Sequence, residues 1–258
     1  MRLEICAIVK NEARYIAEWL EYHLLLGFDH ICLYDNGSED DLAEVYAKFD
    51  SVSVIPWPER GEQQRTAYQD YLRRNAKADI WAAFIDADEF IYDVAGTGIR
   101  HYLASRPRDC GGVEMPWVIF DCNDHETRPP GLVIENYTRA HTVAPQQNVK
   151  TFCRPQCVNI ENFLSPHSFT YKDGFSSQLC SESELPLFHY MLRSREDVVL
   201  KVSRGDVWSA ETERKRLNNV GRAVKTILAK YDKADRVEER MLKYAPVLRE
   251  RLAARELL

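Results

Sequence analysis

The segment IWAAFIDADEFIY, residues 80–92, joins a strand pattern to two closely spaced carboxylates. Residues 81–85 form an unbroken apolar run, which is typical of a central parallel strand that is buried on both faces. Asp86 and Asp88 follow at once, where the strand leaves the sheet, and ligands of open α/β sheets bind at that carboxyl edge. The two side chains could simply cap the next turn, but the preceding apolar run and a third acid, Glu89, favour a site.

Carboxylates at this edge suit a divalent cation that carries phosphates, because Mg²⁺ and Mn²⁺ favour carboxylate, water and phosphate oxygens. Neither a G-x-G-x-x-G nor a G-x₄-G-K-[ST] motif occurs in the chain. A nucleotide bound here would therefore need a metal ion, and not a glycine-rich loop, to neutralise its diphosphate.

Short apolar runs alternate with helical patterns before this segment. Strands are predicted at 3–9, 30–34 and 51–55, with helices after residue 12, from Ser38 to about residue 49, and over 62–78. The second of these helices is predicted because Ser38 and Asp41 resemble a capping box. Later in the chain, a short helix is predicted at 97–105, and strands at 112–120, 150–158 and 163–171. This alternation predicts an α/β fold with a mostly parallel, doubly wound sheet flanked by helices.

Polar residues also follow the first two predicted strands: Asn11 and Glu12 after the first, and Asp35 after the second. Each is weak evidence alone, because polar residues at strand ends are common. Since the carboxyl ends of parallel strands meet at one edge, together with Asp86 and Asp88 they predict a nucleotide pocket there.

The composition places the chain among ordinary soluble globular proteins. Of its 258 residues, 45% are apolar and 29% are charged, and the net charge of −6 argues against a general nucleic-acid binder. The seven cysteines include one close pair, Cys153 and Cys157, without the further ligands of a zinc site. No apolar run is long enough for a signal peptide or a membrane span, so we expect a cytoplasmic protein with reduced thiols.

The composition changes from residue 211 onward. Residues 211–258 contain 13 Lys and Arg against 8 Asp and Glu, with apolar residues at helical spacing. We therefore predict residues 1–210 as the main domain and 211–258 as basic amphipathic helices packed on it. Their basic face is most simply solvated, but it could also hold the protein on anionic lipid at the inner membrane face.

Four ordered motifs carry a resemblance to a known family: KNE at 10–12, LYDNGS at 33–38, W-x₄-DADEF at 81–90, and HY-x₂-RS…K-x₂-RG at 189–205. Over residues 3–205 the chain resembles glycosyltransferase family 92 and the related family-2-like glycosyltransferases of bacteria. The resemblance implies a GT-A fold with a C-terminal helical tail outside it. It also implies metal-dependent transfer of a sugar from a UDP- or GDP-linked donor to a glycan or lipid-linked acceptor hydroxyl, with inversion.

The resemblance also implies roles for individual residues. Those expected to bind the nucleotide are Asn11, Glu12, Asp35, Asp86, Lys201 and Arg204, the last two facing the diphosphate. The expected ligands of Mn²⁺ or Mg²⁺ are Asp86, Asp88 and His189. The apolar neighbours of His189 also allow it to be a core histidine bonded to a backbone carbonyl.

Inversion needs a carboxylate that takes the proton of the acceptor hydroxyl. Glu89 lies beside the metal motif, and Asp121 follows directly after an apolar strand, ahead of Asp124 and Glu126 in one loop. We prefer Asp121, although its segment FDCNDHE departs from the FG-type segment expected of the family.

Two other functions fit parts of the pattern. A haloacid-dehalogenase-type phosphatase also has D-x-D after a strand, but Phe90 stands where that class has Thr or Val, and its motif comes early in the fold. A glycosyltransferase-like domain could also bind sugar nucleotide or glycan without turnover. The presence of Asp86, Asp88 and His189 argues against such a decayed site.

Overall fold

The computed structural model describes residues 1–58, 62–142, 148–163, 165–204 and 219–258. Its strands are β1 Arg2–Val9, β2 His30–Asp35, β3 Val52–Pro56, β4 Ile80–Phe84, β5 Glu89–Ile91, β6 Cys110–Ile119, β7 Arg139–Ala140, β8 Val149–Cys153, β9 Ser176–Leu179, β10 Leu187–His189 and β11 Arg236–Val237. Its α-helices are α1 Ala13–Leu25, α2 Leu42–Tyr46, α3 Gln63–Arg74, α4 Ile99–Ala104, α5 Val133–Asn136, α6 Arg195–Ser203, α7 Val220–Tyr231 and α8 Ala245–Ala254.

Within the described residues, nine strands form one sheet in the order β3-β2-β1-β4-β8-β6-β10-β5, with β9 also paired to β6. Strands β1 to β4 are parallel to one another. Only β8 and β5 run against the other strands. The predicted α/β fold with a mostly parallel sheet is confirmed, and the D-x-D segment leaves β4 at the carboxyl edge.

The sheet is covered on both faces, which explains the unbroken apolar run of β4. One face packs against α1 through residues such as Trp19 and Leu20, and the other against α3 through Tyr68 and Leu72. Alternate residues of β4 belong to the two clusters, so neither face of this strand tolerates a polar side chain. The strand therefore holds the following carboxylates in a rigid place.

The two predicted C-terminal helices are present as α7 and α8. Leu248 and Leu252 of α8 join the main core, whereas α7 packs on α6 through residues that include Val224 and Leu228. The predicted domain boundary at 210 and the first part of the tail lie outside the described residues. In the part of the chain that the structure describes, no helix has the length and apolar character needed to cross a membrane.

Two predicted elements differ from the structure. The helix expected from Ser38 is the shorter α2, because Ser38 does not cap it: its hydroxyl accepts the backbone N–H of Asn11 at 3.0 Å. The segment 163–171 forms no strand among its described residues. It contributes only an isolated bridge between Tyr171 and Val158, while Phe163 and Phe169 fill the α3 side of the core.

Of the elements that were not predicted, α6 and β5 matter most for the sheet edge. Helix α6 begins at a capping box in which Ser194 and Asp197 bond each other's backbone N–H. Strand β5 is only three residues long and runs antiparallel to β10. This pairing sets Glu89 opposite His189 and thereby brings the late histidine to the D-x-D segment.

Candidate active site

The D-x-D segment is a tight turn between β4 and β5. The backbone N–H of Glu89 donates to the carbonyl of Asp86 at 3.0 Å, and the Glu89 carboxylate accepts the N–H of Asp86 at 2.7 Å. This closed turn gives Asp86 and Asp88 different neighbours, so the two carboxylates have separate environments.

Asp86 lies between α3 and β8. Its Oδ1 accepts a hydrogen bond from Nε2 of Gln64 at 2.6 Å, and its Oδ2 lies 2.9 Å from Nζ of Lys150. Burial alone would raise the pKa of Asp86, but the Lys150 ammonium holds it below its ordinary value. Asp86 is therefore an ionised carboxylate, and its side chain is still 33% exposed toward the cleft edge.

Lys150 is fully buried and contacts two acids. Its Nζ lies 3.8 Å from Oε2 of Glu89, which is also fully buried. Burial lowers the pKa of Lys150, yet the charges of Asp86 and Glu89 outweigh it and raise that pKa above the ordinary value. For Glu89, burial dominates and raises the pKa well above its usual range. Lys150 is thus the internal counter-ion of this side of the site.

Asp88 lies between β10 and α6. One oxygen is 3.4 Å from Nε2 of His189, and the other accepts a hydrogen bond from Nζ of Lys201 at 2.5 Å. Although burial acts to raise it, these two partners hold the pKa of Asp88 well below its usual range. Burial lowers the pKa of His189, so a neutral imidazole is favoured. The imidazole of His189 thus contacts a carboxylate, whereas the alternative of a core histidine has it bonded to a backbone carbonyl.

The end of β1 carries a second charged cluster. Glu12 accepts hydrogen bonds from Arg193 at 2.9 Å and from Arg204 at 2.5 Å. Arg204 also donates to the backbone carbonyls of Lys10 and Asn11, at 2.7 and 3.1 Å. The guanidinium of Arg193 lies 3.9 Å from the ring centroid of Tyr15. Glu12 therefore holds two arginines in place and ties the region of α6 to the sheet edge.

A cleft of about 60 Å³ opens beside Asp88, between the end of β1 and α6. Its lining includes Asn11, Glu12, Asp88, Arg193, Lys201 and Arg204. The charged lining of this cleft suits a phosphorylated ligand. The structure thus brings together residues that the sequence places up to about 190 positions apart.

Asn11 and Asp35, two of the residues predicted to bind the nucleotide, accept hydrogen bonds from backbone N–H groups of the loop after β2. The side chain of Asn11 accepts the N–H of Glu39 at 2.8 Å, and Oδ1 of Asp35 accepts the N–H of Ser38 at 2.9 Å. Asn11 still lines the cleft, at a backbone φ of 52°. Asp35 lines a different surface depression beside Phe49. Contact of Asp35 with a nucleotide remains a prediction.

Asp121 is buried beyond β6 and hydrogen-bonded through both oxygens. Oδ1 accepts from Nε of Arg139 at 3.1 Å and from the N–H of Asn123 at 2.8 Å, and Oδ2 accepts the N–H of Ala234 at 3.1 Å. These bonds join the loop after β6 to the segment before β11. A base at Asp121 would have to give up part of this network, and its role remains a prediction.

Sequence reasoning missed Lys150 and Gln64, the two partners of Asp86. Lys150 begins the predicted strand 150–158, which also contains Thr151, Arg154 and Gln156, so its burial had no clear signal in the sequence. Gln64 had no distinguishing signal, because it begins a helix rich in polar residues.

The fit of a divalent cation depends on the donor atoms present. Among the described residues, no cluster of three or more His, Cys, Asp and Glu could hold a metal ion. Asp88 and His189 present one carboxylate and one imidazole at a single point, which fits a site completed by phosphate and water oxygens. Asp86 is instead held by Lys150 and Gln64.

Comparison with known proteins identifies the family. The profile described as glycosyltransferase family 92 matches residues 3–234. The chain belongs to glycosyltransferase family 92. The match runs past residue 205, where the motif resemblance ends, and includes α7. The predicted family is therefore confirmed, and its extent is larger than the motifs suggested.

Curated relatives from plants carry the same family name. A family 92 protein of Ricinus communis is 29% identical over 198 residues, which cover 72% of this chain and 34% of that protein. One of Oryza sativa subsp. japonica is 27% identical over 193 residues, covering 72% of this chain and 32% of the relative. The chain thus spans about a third of the length of the curated relatives it matches.

Solved structures with a partial likeness to the chain include two bacterial proteins. Glucosyl-3-phosphoglycerate synthase of Mycobacterium tuberculosis, in complex with Mn²⁺ and UDP-glucose, has a TM-score of 0.33 and 18% identity, covering 45% of this chain and 43% of that one. HddC of Yersinia pseudotuberculosis has a TM-score of 0.43 and 10% identity, covering 76% and 96%.

Proposed function

We propose that this chain is the catalytic domain of a metal-dependent glycosyltransferase. It moves a sugar from a UDP- or GDP-linked donor to a hydroxyl of a glycan or lipid-linked acceptor, with inversion. The observation that carries the proposal is one cleft lined by Asp88, Lys201 and Arg204, with His189 lying 3.4 Å from the Asp88 carboxylate. Family membership supports the same reaction class.

We assign different parts of the donor to different residues in and beside the cleft. Asp88 and His189 hold the divalent cation, which supplies charge neutralisation for the leaving diphosphate when bound. Lys201 and Arg204, three residues apart on and just after α6, line the same cleft and add positive charge there. Glu12 keeps Arg204 oriented toward the cleft. We assign to Asp86, which is ionised beside Lys150, a hydrogen bond from a ribose hydroxyl.

Removal of the acceptor proton needs a base, and the two predicted candidates, Glu89 and Asp121, differ in their hydrogen bonds. Oε1 of Glu89 has no hydrogen-bond partner among the described residues but is fully buried, whereas both oxygens of Asp121 are hydrogen-bonded. The variants Glu89→Gln and Asp121→Asn separate them. Loss of transfer with nucleotide binding retained identifies the base.

Thermal unfolding with a panel of nucleoside diphosphates, with and without Mn²⁺, tests the donor site. A ligand at a hundred times its Kd adds about 2.7 kcal/mol, which raises Tm by about 5 °C or more for a chain of this size. We expect such a shift with one nucleotide, dependent on Mn²⁺ and absent in Asp88→Asn. Asp124→Asn, at an exposed aspartate paired with Arg139, is the matched control and should keep it.

A flat panel with a well-folded protein would refute the donor site. Binding without any release of sugar from the donor, in the presence of acceptors, would instead leave a non-catalytic sugar-nucleotide binder. Formation of a phospho-aspartate at Asp86 would establish the phosphatase alternative.

The proposal includes peripheral contact with an anionic membrane in the cytoplasm. Its support is that Arg222, Lys225 and Lys230 are exposed on α7 while the apolar residues of that helix pack on α6. Co-sedimentation with vesicles that contain phosphatidylserine tests it. Binding that persists unchanged at high salt, or no binding at all, would contradict an electrostatic contact.

A further inference from the structure

Asp88 has a lysine at the oxygen where a cation would bind. Nζ of Lys201 lies 2.5 Å from Oδ2 of Asp88 and 3.3 Å from the carbonyl oxygen of Met191. The Lys201 side chain is 41% exposed, whereas that of Asp88 is 9% exposed. The lysine is thus the partner that can move, because its four-carbon stem is flexible and reaches in from the surface.

The charges around the cleft leave no negative excess to attract a divalent cation. Each nearby acid contacts a cation: Glu12 contacts Arg193 and Arg204, Asp86 and Glu89 contact Lys150, and Asp88 contacts Lys201. Asp197, which also lines the cleft, lies 3.9 Å from Arg14, so five acids face five cations among the described residues. A divalent cation entering alone would meet a site that is already neutral.

A nucleoside diphosphate changes this balance. Its phosphates offer Lys201 a more negative partner in the same cleft, to which Lys201 and Arg204 both belong. With the ammonium on a phosphate, the Asp88 carboxylate loses its counter-ion. Together with Nε2 of His189, which lies 3.4 Å from Oδ1 of Asp88, it would then hold a cation.

Resting on the proposed function, we propose that Lys201 is a placeholder on Asp88 that makes cation binding depend on the donor. The ammonium neutralises Asp88 in the free protein and moves to the diphosphate when the donor enters. The cation is then retained only together with the nucleotide. In the family reaction, Lys201 is thus a positioning residue that orders the binding of the two ligands.

The test is a Mn²⁺ titration of the full chain followed by electron paramagnetic resonance. Binding to the protein is the fall in the free Mn²⁺ signal relative to matched samples without protein, because UDP and GDP bind Mn²⁺ themselves. Wild type, Lys201→Met and Lys201→Gln are compared, each without nucleotide and with UDP or GDP. Lys225→Met, at an exposed lysine of α7, is the matched control, and Lys201→Arg keeps the charge. Thermal unfolding of each variant verifies that it is folded.

We expect wild type, Lys225→Met and Lys201→Arg to bind Mn²⁺ only with nucleotide. Lys201→Met and Lys201→Gln should bind Mn²⁺ without nucleotide at least about tenfold more tightly than wild type, since a full charge beside the cation is gone. The same two variants should bind the nucleotide more weakly.

Three results would overturn the placeholder. Wild type that binds Mn²⁺ equally well with and without nucleotide is the first. Neutral variants that bind Mn²⁺ no better than wild type, while wild type shows nucleotide-dependent binding, are the second, and they leave the donor site intact. Wild type that retains no Mn²⁺ even with UDP or GDP is the third, and it overturns the proposed function itself.

Discussion

Replacing Lys150 by methionine tests whether the buried ammonium holds the D-x-D turn in place. Methionine has a similar length but no charge, so the change keeps the volume and removes the counter-ion of Asp86 and Glu89. Lys150 is fully buried, and the closer of its two contacts is 2.9 Å. The variant therefore leaves two acids without their cation.

Removing one partner of a buried ion pair costs about 3–5 kcal/mol, because the other charge stays buried and uncompensated. Asp86 is one-third exposed and is partly screened by solvent, which favours the lower end, about 3 kcal/mol. At roughly 2 °C per kcal/mol for a chain of this size, Tm should fall by about 6 °C.

Urea unfolding at pH 7 measures the loss directly, with Lys225→Met as the control for an exposed lysine. The double variant Lys150→Met with Asp86→Asn should lose less than the sum of the single changes, because the second change removes the uncompensated charge. A loss below about 1 kcal/mol in Lys150→Met, or strict additivity in the double variant, would refute this role.

Three further predictions concern other residues of the described chain. Glu12→Gln should weaken nucleotide binding about tenfold and keep the fold, because it releases Arg204 from its carboxylate; unchanged affinity in calorimetry would contradict this. Burial raises the pKa of Glu18 to about 7, against the bonds it accepts from the N–H groups of Val133 and Ile134. The stabilisation that protonated Glu18 contributes is therefore fully present below about pH 4.5 and is lost as pH rises through 7, by up to about 3 kcal/mol. In urea unfolding between pH 5 and 8, Glu18→Gln should reduce the dependence of the unfolding free energy on pH. Burial lowers the pKa of His23 to about 3, so stability should fall below about pH 6.5 by roughly 2 kcal/mol at pH 5; equal slopes in His23→Gln and wild type would argue against it.

Local patterns were enough for the strands of the first third and for the position of the D-x-D turn. A strand buried on both faces must be apolar throughout, so residues 81–85 revealed β4, and the carboxylates that follow it could only lie at its carboxyl edge. The capping prediction for Ser38 was wrong because it considered only neighbouring residues. A serine before a helix is typical of an N-cap, but the Ser38 hydroxyl instead accepts a hydrogen bond from the N–H of Asn11, 27 residues away.

The sequence by itself determined the family, the positions along the chain at which the first strands end, and the residue types that follow them at the sheet edge. Only the tertiary structure decided the partners of those residues. Lys201 meets Asp88 across 113 positions, and Asp121 meets the N–H of Ala234 across 113 positions, so one acid lies in the cleft and the other is hydrogen-bonded into a loop. The physical reason is that periodicity encodes which face of an element is buried, whereas ion pairs depend on how distant elements pack, and that packing follows from the whole core.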